Sequence, residues 1–222
     1  MAKRNSYLAS LIKFLAVQPR KAEADRTFIE TARRAQIVDA AIDTIAEVGY
    51  SRASLGRIAA RAGISRGLIS YHFTGKEELI TEILRGVIEQ SRAYMLPRIT
   101  AQSTGPGMLR VYIESNLTFI REHRNHLIAI VEIARHRIAE GAPRGLSDHE
   151  PDQAVRALAQ LLARFQQSGD LRSDFDPRAV AIAIRAAIDV APARLSADPQ
   201  FDIDSYAQDI IQVFDLATRT AG

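Results

Sequence analysis

Between Ser54 and Lys76 the chain reads SLGRIAARAGISRGLISYHFTGK, and this stretch constrains the fold more than any other. Ser54 precedes a run in which Leu55, Ile58, Ala59 and Ala62 recur at helical spacing. Its hydroxyl is suited to cap that helix by accepting from a backbone N–H that would otherwise lack a partner. Gly63 follows where a helix closes in the left-handed region, which glycine enters without a Cβ penalty. Ile64 then plugs the corner, and Ser65 caps a second helix over Arg66–Phe73. Leu68, Ile69 and Phe73 are available to its inner side, while Arg66, Gly67, Ser70, Tyr71 and His72 face out.

Two short helices joined by a glycine corner form a helix-turn-helix, whose second helix enters the major groove of DNA. A groove about 12 Å wide admits one α-helix, and the partial positive charge at a helix N-terminus favours phosphate. Arg66 stands in the first turn of the second helix, where a guanidinium reaches guanine O6 and N7 together. Gly67 lets the backbone approach closely. Ser54, Ser65, Tyr71, His72 and Lys76 are placed to donate to phosphates, which sets register without reading sequence.

The run Leu55–Ile58–Ala59–Ala62–Gly63–Ile64–Ser65–Arg66–Gly67, with Tyr71–His72–Phe73 and Lys76–Glu77–Glu78–Leu79, resembles the DNA-binding domain of TetR-type repressors. The preceding helix, Gln36–Ala41 through Glu47–Tyr50, is similar to that family's first helix, so the resemblance spans about Arg33 to Leu84. It implies an all-α chain of about nine helices: a basic extension at 1–25, a DNA-binding domain at 26–77, and a ligand-binding and dimerisation domain at 78–222. Ser70 stands where the family usually carries an aromatic ring, so no contact is carried over at that position. Arg33 and Arg34 fall near the family's DNA-facing end and are open to two readings, phosphate contacts or a solvated pair.

The net charge of +3 is unevenly spread. Residues 1–80 hold 13 Lys/Arg against 8 Asp/Glu, a balance of +5, and the remainder holds 16 against 18, a balance of −2. Positive charge therefore gathers on the half carrying the reader, as attraction to phosphate requires. The absence of cysteine excludes disulfides, thiolate metal sites and a cysteine nucleophile, and suits a reducing cytoplasm. In the extension, Leu8, Leu11, Ile12 and Leu15 follow helical spacing. Lys13 interrupts what would otherwise look like a secretory leader. That segment is read as a loosely packed amphipathic leader, a basic arm into the minor groove being the alternative. No run of 18 apolar residues suggests a membrane span.

A first helix is expected over about Thr31–Val48, stopped by Gly49. Another opens at Gly75–Lys76 and carries Leu79, Ile80, Ile83, Leu84, Val87 and Ile88 until Pro97 limits it. Further helices are expected from Pro106 to about Ile120, over Asn125–Ala139, and from Pro151 to Gln167, with a loop at 141–149. Asp176–Pro177 opens a helix whose segment AVAIAIRAAIDV is apolar nearly all round and should be buried on every side. A last helix covers about Ile203–Thr220, with Tyr206, Ile210, Val213, Phe214 and Ala217 in one stripe. The resemblance makes these two, about 177–194 and 203–220, the surface of a homodimer, and dimers engage half-sites about 34–36 Å apart.

Tyr112, Asn116 and Phe119 are the polar and aromatic residues best placed to line a pocket for a small-molecule effector. His123 with His126, and Glu132 with His136, have ligand-like spacing, but Arg121, Arg124, Arg135 and Arg137 crowd them with positive charge and no metal site is expected. No phosphate loop, nucleophile elbow or HExxH motif is present, so neither an enzyme nor a cofactor is expected. The function expected is a DNA-binding transcriptional regulator, a repressor released from its operator by a ligand. The alternative is a constitutive or protein-partnered regulator without an effector.

Overall fold

The computed structural model describes residues 28–140, 150–198 and 200–220. Among them every ordered element is a helix: α1 (Phe28–Val48), α2 (Leu55–Ala62), α3 (Arg66–His72), α4 (Lys76–Thr100), α5 (Gly105–Glu122), α6 (Arg124–Ala139), α7 (Glu150–Ser168), α8 (Pro177–Asp189), α9 (Ala191–Ala197) and α10 (Ile203–Thr218). The expected leader helix within 1–25 and the expected loop at 141–149 lie outside the described residues. The described residues divide into two compact units that do not follow chain order. A reader unit holds 28–89 and 124–140, and a bundle unit holds 90–123 and the residues from 150 onward.

In the reader unit, α1 buries Ile37, Ala40, Ala41, Ile42 and Ile45, a helical stripe, and ends at Gly49 with φ +79°. It begins three residues before the expected Thr31, with Phe28 and Ile29 projecting from its first turn. The inner sides of α2 and α6 pack on it. Ile130 and Ile133 of α6 point inward, and Asn125 donates to Asp43 at 2.9 Å. The first half of α4 contributes Leu79, Ile80, Ile83, Leu84 and Val87 to the same core.

In the bundle unit, α5 lies against α10 and α7 against α8. Gly105 opens α5 where an added Cβ would stand 2.8 Å from the Phe165 ring of α7, so only glycine permits that approach. Pro97 does not stop α4, which continues to Thr100. Pro97 cannot donate to the Ala93 carbonyl, but its own carbonyl accepts from the Ala101 N–H at 3.1 Å and Ile99 beyond it is buried, so the last turn is kept.

The helix expected to run to about 194 breaks at Val190, because Pro192 has no N–H to continue the ladder, and α9 restarts there. Within a single chain α8 buries one side only. Ala181, Ile184 and Ile188 face inward, while Ile182 is 50% exposed and Ala179, Ala183 and Ala186 are open. The last helix likewise splits its stripe, Phe214 in and Val213 out.

Candidate nucleic-acid interface

The two caps expected from sequence are formed. Ser54, in extended conformation, accepts from the Arg57 N–H at 3.3 Å, and Ser65 accepts from the Leu68 N–H at 3.2 Å. Gly63 takes φ +66°. Its N–H bonds the Ala60 carbonyl and that of Ile64 bonds Ala59, closing α2 and turning the chain into α3. Gln36 of α1 donates to the Ala62 carbonyl at 2.8 Å and holds the same corner from below. A helix of seven residues is marginal alone. Burial of Ile69 and Phe73, about 1.5–3 kcal/mol each, keeps α3 in place.

That inner anchoring leaves Arg66, Gly67, Ser70 and Tyr71 on the outside, Tyr71 at 74% exposure. His72 is half-buried, with its ring edge-on to Tyr71 at 5.0 Å. An added Cβ on Gly67 would meet nothing nearer than the Ser65 hydroxyl at 3.8 Å. Internal packing therefore does not demand glycine there. The Ser70 hydroxyl turns back to the Arg66 carbonyl at 3.3 Å.

Other residues have internal partners that sequence reasoning missed. Lys76 donates to the Tyr50 carbonyl at 2.6 Å and sits 3.8 Å above the Tyr50 ring, and burial lowers its pKa. Its ammonium ties the start of α4 to the end of α1. Arg34 is neither solvated nor free for phosphate. Its side chain is 8% exposed, lies 3.9 Å over the Phe73 ring, donates to the His72 carbonyl, and pairs with Glu78 at 3.4 Å and Glu82 at 3.6 Å. Glu78 also accepts from the Thr74 N–H at 2.8 Å, and this bond above all holds its carboxyl below the usual range. Arg33 donates to Gln36. The only sequence signal for Arg34 was its place four positions after Glu30, which says nothing about burial.

Tyr50 is the second unforeseen residue. Its hydroxyl donates to Glu77 at 2.9 Å and its ring meets His136 of α6 at 4.3 Å. Burial, then the bond to Glu77, pushes its pKa up to about 12. Arg137 of α6 pairs with the same Glu77 at 3.4 Å.

In the bundle unit Tyr112 and Asn116 are brought together by a third residue. Arg185 of α8 donates to the Tyr112 hydroxyl and to the Asn116 side-chain oxygen, both at 3.2 Å, and pairs with Asp189. Burial raises the pKa of Asp189 against the opposing pull of Arg185. Phe119 is enclosed elsewhere, stacked 4.0 Å from the His123 ring and 5.8 Å from Tyr94. Among the described residues no group of three or more His, Cys, Asp or Glu side chains is arranged to hold a metal, and no helix is long and apolar enough to cross a membrane.

The reader's residues coincide with a known family model. Residues 37–83 match the model described as bacterial regulatory proteins, tetR family. The HTH-type transcriptional regulator BetI of Klebsiella pneumoniae is 37% identical over 83 residues, which is 37% of this chain and 43% of that protein. BetI of Cronobacter sakazakii is 33% identical over 97 residues, 43% of this chain and 48% of that protein. The chain thus spans less than half the length of the curated relatives it matches. Solved structures agree over far more of the fold. The ketosteroid transcriptional regulator KstR2 of Mycobacterium tuberculosis superposes with a TM-score of 0.70 at 21% identity, covering 85% of this chain and 96% of that one. AibR in complex with isovaleryl coenzyme A and operator DNA gives 0.67 at 19% identity, covering 82% and 97%. FadR of Bacillus subtilis in complex with stearoyl-CoA gives 0.64 at 23%, covering 81% and 96%.

Proposed function

We propose, from a chain whose residues 37–83 match the model of the tetR family of bacterial regulatory proteins, that the protein is a dimeric transcriptional repressor which a small-molecule effector releases from its operator. The observation that carries the DNA-binding half is the division of α3. Ile69 and Phe73 are locked inward, and Arg66, Gly67 and Tyr71 are held out, Tyr71 touching only the neighbouring His72 ring among the described residues. On this reading Arg66 addresses a guanine edge, Gly67 gives it proximity, and Ser54, Ser65, Tyr71 and His72 set the register on phosphates, while Lys76 would have to leave the Tyr50 carbonyl to join them.

Dimerisation is supported by the outward faces of α8 and α10. Ile182, Val213 and Leu216 are each about half exposed and stand beside alanines that permit close helix approach. A dimer supplies two readers, as a palindromic operator needs. The effector reading rests on Tyr112, Asn116 and Arg185, a polar cluster in an apolar bundle, and on the fold shared with AibR and FadR, which bind acyl-CoAs. α4 spans Lys76–Thr100 and supplies residues to both units, and on this reading the response to the effector passes along it. A difference of only about 1–3 kcal/mol between two dimer forms changes operator occupancy by the required factors.

The test is selection of a binding sequence from random duplexes, followed by titration of Arg66→Ala. The variant should lose about 1–3 kcal/mol of specific binding and relax preference at one base pair in each half-site. Unchanged binding to the selected operator refutes the role given to Arg66. A metabolite screen for operator release then separates an effector-controlled repressor from a constitutive regulator.

A further inference from the structure

We propose that Arg57 is the side chain with which each reader grips the phosphate backbone; the proposal rests on the DNA-binding reading above. Seven cationic side chains lie between residues 28 and 76, and the fold engages five of them. Arg33 bonds Gln36, Arg34 is held by Glu78, Glu82 and the His72 carbonyl, and Arg52 donates to the Val48 carbonyl at 2.7 Å. Arg61 pairs with Glu47, and Lys76 lies on Tyr50. Among the described residues Arg57 and Arg66 alone of the seven make no side-chain hydrogen bond, ion pair or ring contact.

The distinction has a thermodynamic consequence. Binding to DNA is driven by release of condensed counterions in proportion to the positive charge delivered to phosphates. A guanidinium already neutralised by a carboxylate, or an ammonium bonded to a carbonyl, must break that contact first. An unengaged one delivers its full charge. Arg66 belongs to the helix that enters the groove and is assigned to a base. Arg57 is in the first turn of α2, its N–H on the Ser54 hydroxyl, facing away from buried Ile58, Ala59 and Ala62. In a helix-turn-helix this first helix crosses the backbone of the duplex. A planar guanidinium there meets phosphate oxygens two at a time and reads no sequence.

The measurement is the salt dependence of affinity for the full chain, between roughly 50 and 200 mM salt, on the selected operator and on a random duplex. Each phosphate contact contributes about 0.9 to the slope of log affinity against log salt, so Arg57→Ala, acting twice in a dimer, should flatten it by about 1.8 on both duplexes. The ratio of operator to random affinity should hold, and Arg57→Lys should keep most of the slope. Arg61→Ala, removing a cation already paired, should change it far less. Arg57→Ala should melt with the wild type, since its side chain makes no polar or ring contact among the described residues. A wild-type slope in Arg57→Ala overturns the proposal, as does a loss confined to the operator or an equal flattening by Arg61→Ala. A wild type with no affinity for any duplex fails earlier and overturns the DNA-binding reading itself.

Discussion

Replacing Arg34 by Met keeps the aliphatic stem against Phe73 and removes the guanidinium that joins α1 to the end of α3 and the start of α4. The charged bond to the His72 carbonyl contributes about 1.5–3 kcal/mol. The cation above the Phe73 ring, at 3.9 Å and largely desolvated, adds about 1 kcal/mol. The carboxylates of Glu78 and Glu82 are 37% and 22% exposed, so each ion pair is discounted to about 0.5 kcal/mol or less. Against these stands the Arg34 Nε, buried without a hydrogen-bond partner in the described residues, whose removal returns about 1 kcal/mol. The balance is a destabilisation of about 2–4 kcal/mol, read in urea as a lower midpoint at unchanged slope. The slope of DNA affinity against salt, by contrast, should not move for the fraction that stays folded. A variant as stable as the wild type with a flatter salt slope would refute this reasoning and return Arg34 to the phosphates.

Two further outcomes follow from the packing. Leu216→Asp places a charge on the outward face of α10, in its last turn; burial of the leucine is worth about 1.5–3 kcal/mol per subunit and symmetry counts it twice, so sedimentation should show a monomer with greatly weakened operator binding. A dimer that persists places the interface elsewhere. Tyr50 has its pKa raised from 10.0 to about 12, so the native state binds its proton more tightly than the unfolded chain. Its contribution is complete below pH 10, declines as pH rises and is lost through about 12. Tyr50→Phe should flatten the fall in stability across that range, and an unchanged alkaline profile would show that Tyr50 does not titrate with folding.

Much of the reader was legible in the sequence because its determinants are local. Caps at Ser54 and Ser65 and the left-handed corner at Gly63 depend on residues within four positions, and so does the inward alternation that ends in Ile69 and Phe73. The same locality explains why most helix ends fell within a few residues of expectation. Pro192 was the exception, read as part of a helix that it in fact interrupts.

What needed the tertiary structure was the fate of each polar group. A lysine or arginine in a sequence is a free charge until its neighbours are known, and neighbours here come from 26 residues away for Lys76 and 38 for Arg34. The same holds for Arg185, the one charged residue within AVAIAIRAAI, which gathers Tyr112 and Asn116 in the bundle unit. Apolar periodicity likewise says which helix faces leave water but not what covers them: one chain buries Ala181, Ile184 and Ile188 of α8 and leaves Ile182 half exposed. Local backbone preference and spacing specified the helices and the corner. Arg33 and Arg52 are engaged by neighbours three and four positions away, but Arg34 and Lys76 are engaged by long-range contacts whose strength depends on burial that no single segment encodes.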